Sequence, residues 1–131
     1  MKRSCKHIDI TDWQVILPWV YDCITRHYRR HDFRELCIKT GKMPPEAYQK
    51  AFLEHSKAAF LQPAEDIAKE AAKRILERNL DLPPVHISER KDKSSGKVRL
   101  IGRESAMQQI FDHIAVDACE EIWKQIGRAH V

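Results

Sequence analysis

Residues 85–103 read VHISERKDKSSGKVRLIGR, and residues 104–123 continue as ESAMQQIFDHIAVDACEEIW. The apolar period in this stretch decides the fold. Val85 and Ile87, then Val98, Leu100 and Ile101, flank the turn-rich DKSSG at strand-like spacing, which predicts an antiparallel β-hairpin. The expected register sets Lys91 opposite Lys97, Glu89 opposite Arg99 and Ile87 opposite Ile101, and a one-residue slip undoes that pairing. From Ser105 the period returns to a helical one, with Met107, Ile110, Phe111, Ile114, Ala118 and Ile122 on one face and Gly127 as the expected stop.

Upstream, the pattern is helical throughout. A first helix is expected from Thr11, with Gln14 completing a capping box and Trp13, Ile16, Leu17, Val20, Tyr21 and Ile24 as its apolar stripe. Pro18 is positioned to kink it, and Arg26, Arg29 and Arg30 place cations at its C-terminal end. A short helix over 32–39 is expected to end on Gly41 in a left-handed cap. Pro44-Pro45 starts the next, over 46–61, with Tyr48, Ala51, Phe52, Ala59 and Phe60 inward. A further helix is expected from Pro63 to Leu80 on Ile67, Ala71, Ile75 and Leu76, and the stretch from Ala68 to Ala72 suits a close helix contact. Pro83-Pro84 then enforces extended backbone. The fold class is therefore α+β, helix-rich with one antiparallel β-hairpin. The chain divides into a helical region (1–82), hairpin plus following helix (83–126) and a short tail (127–131).

The chain has 131 residues, with 43% hydrophobic and 32% charged side chains, which suits one domain or a piece of a larger one and excludes wholesale disorder. The net charge of +4 says little alone, because the distribution of charge matters more than its sum. Its four cysteines, Cys5, Cys23, Cys37 and Cys119, form no CxxC pair. The start, MKRSCKHIDITDW, has no apolar signal-peptide core, and the apolar run from Val15 to Tyr21 is too short to span a bilayer. The expectation is a reduced, cytoplasmic protein with free thiols and no membrane partner.

The chemistry concentrates in the hairpin. Between Arg90 and Arg103 there are six Lys or Arg against one acid, Asp92. Arginine offers a planar fork of donors matched to phosphate oxygens, and lysine adds a mobile point charge. The compact tip at Ser94, Ser95 and Gly96 permits close approach to a ligand. The competing reading is that these are solvated charges, with Glu89 pairing Arg99 across the strands for about 0.2–1 kcal/mol.

The pattern R-K-D-x(3)-G-K-x-R-x-I-G, followed by a helix bearing Q-Q-x(3)-H, resembles the fingers of bacterial reverse transcriptases: the group II intron, retron and diversity-generating retroelement enzymes. The likeness covers about 40 residues, Val85 to Trp123. It implies the fingers of a right-hand polymerase with the palm absent, the N-terminal portion of an RNA-directed DNA polymerase (a nucleotidyltransferase). Arg99 then matches the second-strand arginine that contacts the incoming nucleotide's phosphates, and Arg90 or Lys91 its first-strand partner. Lys97 and Arg103 match nucleic-acid backbone contacts, and Gln108 or its neighbour Gln109 the glutamine near the template. The implied partners are an RNA template, a DNA primer and deoxynucleoside triphosphates.

Departures from the family are also visible. Leu100-Ile101-Gly102 stands where intron-type enzymes carry a Pro-Leu-x-Ile-Pro run, so the likeness is to the prophage-type enzymes. The family's palm aspartates, which hold two magnesium ions in the complete enzyme, have no counterpart, and no Tyr-x-Asp-Asp occurs. The expectation is a fragment that binds no metal and does not polymerise alone, and that self-associates through final-helix residues Ile110, Phe111, Ile114 and Ile122. The alternatives are a stand-alone nucleic-acid-binding module and a helical interaction protein whose charges only solubilise.

Other constellations are weaker. Cys23, His27 and His31 fall at four-residue intervals and suggest one helix face that, with Cys5, His7 or Cys37, offers zinc ligands in no common spacing. Arg26, Arg29 and Arg30 around Tyr28 suit either RNA or their own helix end. His113 reads as structural, Asp112 and Asp117 do not share a face, and Ser94 and Ser95 have no histidine nearby in sequence to activate them.

Overall fold

The computed structural model describes residues 8–83, 86–91, 93, 95–103 and 105–129. Its elements are α1 (Trp13–His27), α2 (His31–Lys39), α3 (Pro45–Glu54), a 3-10 turn (Lys57–Phe60), α4 (Leu61–Glu77), β1 (His86–Lys91), β2 (Val98–Arg103) and α5 (Ala106–Ala129). The helix-rich α+β class is as expected.

The α1 helix starts one residue later than a Thr11 cap requires. Asp12 is the N-cap, its carboxylate accepting from the Gln14 backbone N–H, while Thr11 turns back to hydrogen-bond Asp9. The Asp12 carboxylate, on backbone already extended at φ −92°, takes the cap from the hydroxyl. The helix runs unbroken through Pro18 to His27, so His31 belongs to the next helix and the Cys23–His27–His31 face does not form.

Gly41 does not end α2 in a left-handed turn; the left-handed residue is Lys42, at φ 54°. Gly41 is required for a different reason. A Cβ there would lie 2.6 Å from the Cys37 carbonyl oxygen and 2.7 Å from the Pro63 Cβ, so the α2 end and the start of α4 pack over a bare backbone. The helix expected over 46–61 divides in two, because His55 turns left-handed (φ 52°) and its N–H, with that of Ser56, satisfies the last carbonyls of α3. Likewise α4 begins at Leu61, two residues before Pro63, and closes at Arg78 (φ 57°), short of Leu80.

The core is built around α1, which packs on α4 and α5. Ile16, Val20 and Ile24 share one continuous cluster with Ala64, Ile67, Ala68 and Ala71 of α4 and with Ile110 and Ile114 of α5. The small alanines of α4 allow close helix approach, as expected for Ala68 to Ala72. Leu76 does not join the stripe; it is 67% exposed, near the C-terminal end of α4. Elsewhere in the cluster Tyr28, Tyr48, Phe52 and Phe60 form an aromatic knot with ring centroids 5.2–6.5 Å apart. The Tyr48 hydroxyl donates to the Tyr28 carbonyl, and that of Tyr28 meets His55 Nδ1 at 3.1 Å.

On α5, Met107, Ile110, Phe111, Ile114 and Ala118 are buried, but Ile122 is 40% exposed. Ser105 caps the helix through its Oγ, which accepts from the Gln108 N–H at 3.2 Å. Gly127 does not stop it, since α5 continues to Ala129. No helix among the described residues is long and apolar enough to cross a membrane.

Candidate functional site

The hairpin forms as expected, with a register one residue away from the expected one. His86 pairs with Arg103, Ile87 with Gly102, Ser88 with Ile101, Glu89 with Leu100, Arg90 with Arg99 and Lys91 with Val98. Glu89 is therefore not the cross-strand neighbour of Arg99; another arginine is. The longer connection follows from ending β1 at Lys91 and opening β2 at Val98 rather than at Lys97. Gly96 takes φ 70° in open space, so glycine is present there for its backbone freedom.

Residues 87–91 are exposed on both alternating faces, and Ile87 and Val98 are 64% and 58% accessible. The ribbon thus projects bare along the described part of β1. An isolated two-stranded ribbon is marginal in water, so this one gains from a covering partner.

Most of the body's arginines are neutralised locally, whereas its exposed Lys42, Lys50, Lys57 and Lys73 and the ribbon's cations make no ion pair among the described residues. In the body Arg26 pairs with Asp22, Arg30 with Asp32, Arg34 with Glu35 and Arg74 with Glu70, at 2.6–3.5 Å. Arg29 lies over the Tyr28 ring and reaches His55. Arg26, Arg29 and Arg30 are therefore engaged within the helical body. Arg90, Lys91, Lys93 and Lys97 are exposed and make no ion pair among the described residues. The backbone of Arg99 and Arg103 is placed by β2, while their side chains, together with Asp92 and Ser94, lie outside the described residues. Gln108 is half-buried, and its amide donates to Asp112 at 3.0 Å, one turn further along α5.

Two of the thiols are poor metal ligands. Cys23 and Cys37 are buried, and burial pushes both up to about 12, with Asp22 adding to the effect at Cys23. The Cys23 thiol donates to the Gln109 carbonyl. His31 approaches Glu35, and Cys5 and His7 lie outside the described residues.

A cluster that spacing alone did not assemble does form between α1 and α5. His113 Nε2 lies 3.0 Å from Asp22 Oδ2 and 3.0 Å from Asp117 Oδ2. Asp22 Oδ2 also receives Arg26 Nε at 3.1 Å. The three side chains are partly accessible from a groove of about 480 Å³ that His27, Val116 and Glu120 also line. His27 is held below its usual value, first by burial and then by Arg30 and His113. His113 and Asp117 are one helical turn apart, a spacing visible in the sequence. Asp22 joins them only through the packing of α1 on α5.

Magnesium, which the resemblance implies for the complete enzyme, does not suit this group. Two-ion chemistry needs carboxylates bridging a pair of hard cations, whereas these carboxylates converge with an imidazole on one point.

Compared with models of protein families, with curated proteins and with solved structures, the chain matches none of them.

Proposed function

We propose that the chain is the fingers-bearing N-terminal portion of an RNA-directed DNA polymerase, whose β1–β2 ribbon holds phosphates of an incoming nucleotide and of the nucleic-acid backbone. The observation that carries this reading is the pairing of Arg90 directly opposite Arg99 on a ribbon whose described residues are exposed on both faces. Arg90, Lys91, Lys93 and Lys97 are exposed there without an acidic partner among the described residues, as Lys42, Lys50, Lys57 and Lys73 of the body also are. The ribbon in addition sets two arginines face to face. Edge lysines also keep a bare ribbon from pairing with other chains, but like charges on directly opposed positions disfavour the ribbon itself. An anion shared by Arg90 and Arg99 removes that repulsion. The motif shared with bacterial reverse transcriptases then selects nucleotide and primer–template as the anion's source.

In this role the portion binds and positions, and the magnesium chemistry belongs to palm carboxylates. Arg90, directly opposite Arg99, takes the nucleotide phosphates with it, while Lys91, on the alternate face, joins Lys97 and Arg103 in holding the backbone. Gln108 lies in the first turn of α5, directly after the ribbon in the chain, where its amide can exchange Asp112 for a template group.

The test uses the full chain with a fluorescent RNA–DNA primer–template. Displacement or strengthening of the complex by a deoxynucleoside triphosphate, lost in Arg99→Ala, supports the fingers reading. Nucleic-acid binding wholly indifferent to nucleotide supports a stand-alone binding module instead.

A further inference from the structure

We infer that Asp22, His113 and Asp117 form a binding site for one divalent transition-metal ion that clips α1 to α5. Two helices from distant parts of the chain bring their ligand atoms to one point, all within 4.8 Å of one another. The ring nitrogen is 3.0 Å from an oxygen of each acid. Ligands bound to one ion at about 2.0–2.2 Å sit roughly 2.8–3.6 Å apart in octahedral or tetrahedral geometry, so the two histidine–carboxylate separations match edges of a coordination polyhedron.

Proton chemistry satisfies the same cluster less well. One Nε2 carries at most one proton, which a linear hydrogen bond gives to one carboxylate, so when Asp117 takes it Asp22 relies on Arg26 alone. A metal ion in place of that proton serves all three groups at once. The donor set chooses the metal class: an imidazole with two carboxylates suits Zn²⁺ or Co²⁺ better than Mg²⁺ or Ca²⁺, which prefer all-oxygen shells. The groove leaves the remaining coordination positions to water. Buried Cys23, engaged with the Gln109 carbonyl, is not a ligand.

Arg26 is the built-in competitor, since its Nε occupies Asp22 Oδ2 at 3.1 Å. Metal binding must displace it or use the other Asp22 oxygen. Removing Arg26 therefore tightens the site, an effect that a purely structural hydrogen-bond bridge does not produce.

The experiment measures thermal unfolding of the full chain with Zn²⁺, Co²⁺ or Mg²⁺ added alone, in a Cys5→Ser, Cys119→Ser background that leaves only the buried thiols Cys23 and Cys37. The expected result is a rise in Tm of about 10 °C at a hundredfold excess of Zn²⁺ over its Kd, with no matching rise for Mg²⁺. His113→Gln and Asp117→Asn should abolish the metal-dependent rise whatever they do to the metal-free Tm, and Arg26→Ala should enlarge it at limiting Zn²⁺. A rise that survives His113→Gln overturns the assignment, as does no rise in the parent chain. If the variants do not fold, ¹H–¹⁵N spectra of the parent chain's histidine rings decide: a Zn²⁺-induced shift at His113 Nε2 supports the site, and an unchanged His113 refutes it.

Discussion

Arg90 on β1 is the direct cross-strand partner of Arg99 on β2. Because like charges at opposed positions weaken a ribbon and favour a bound anion, stability and binding should respond to this pair with opposite signs. Arg99→Glu should stabilise the ribbon by about 0.2–1 kcal/mol, seen as slower amide exchange along β1, while weakening primer–template binding. Slower exchange with unchanged binding would detach the pair from function.

The junction at Gly41 has no room for a side chain. Gly41→Ala should cost about 1–3 kcal/mol in urea unfolding, because a Cβ would drive the Cys37 carbonyl and Pro63 apart. Gly96→Ala meets no such obstacle, and only its φ of 70° opposes it, at about 1–2 kcal/mol confined to the ribbon tip. Its effect should therefore appear in ribbon exchange rates with little change in the unfolding midpoint of the body.

Burial of Cys23 and Cys37 gives the fold an alkaline limit. Both thiols are pushed up to about 12 from 9.0, so the folded state keeps protons that the unfolded chain releases above pH 9. Stability from these groups is fully present below pH 9 and should fall by about 1 kcal/mol per thiol between pH 9 and pH 10. Urea midpoints across that range, compared with Cys37→Ala, check the size of the effect. In a Cys5→Ser background, only Cys119 should react with a thiol reagent in the native protein, since it is exposed.

Of the apolar surface expected to be left on α5, Ile122 alone is uncovered. Ile110, Phe111 and Ile114 are covered by the body, while Val116, Ile122 and Trp123 are 56%, 40% and 74% exposed. Any self-association should run through this distal patch. Trp123→Glu should then shift sedimentation towards monomer, and Ile110→Glu should unfold the chain instead.

Much of this architecture is legible in the residues themselves. The change of period after Pro83-Pro84 marks the hairpin, and the repeat from Met107 to Ala118 marks the buried face of α5. The failures have local causes. His55 adopts a left-handed turn without being glycine, so nothing in a helical-looking run signals the break before Ser56. The register depends on where β2 opens, and the residues beside Gly96 do not fix that point. Most of the cationic candidates share the ribbon, as anticipated. Asp22 and His113 are 91 positions apart, and only the packing of α1 on α5 brings them together.

Phosphates held by the ribbon's exposed cations make primer–template binding salt-dependent through those residues. Anisotropy titrations of the full chain and of its Arg90→Ala, Lys91→Ala, Lys97→Ala variant at several salt concentrations supply the slopes. The expected result is a variant weakened at least about tenfold at low salt, with a slope shallower by about 2–3, roughly one for each phosphate that the variant leaves unneutralised. Equal affinity and equal slope for the two proteins would place phosphate binding elsewhere on the chain and contradict the account.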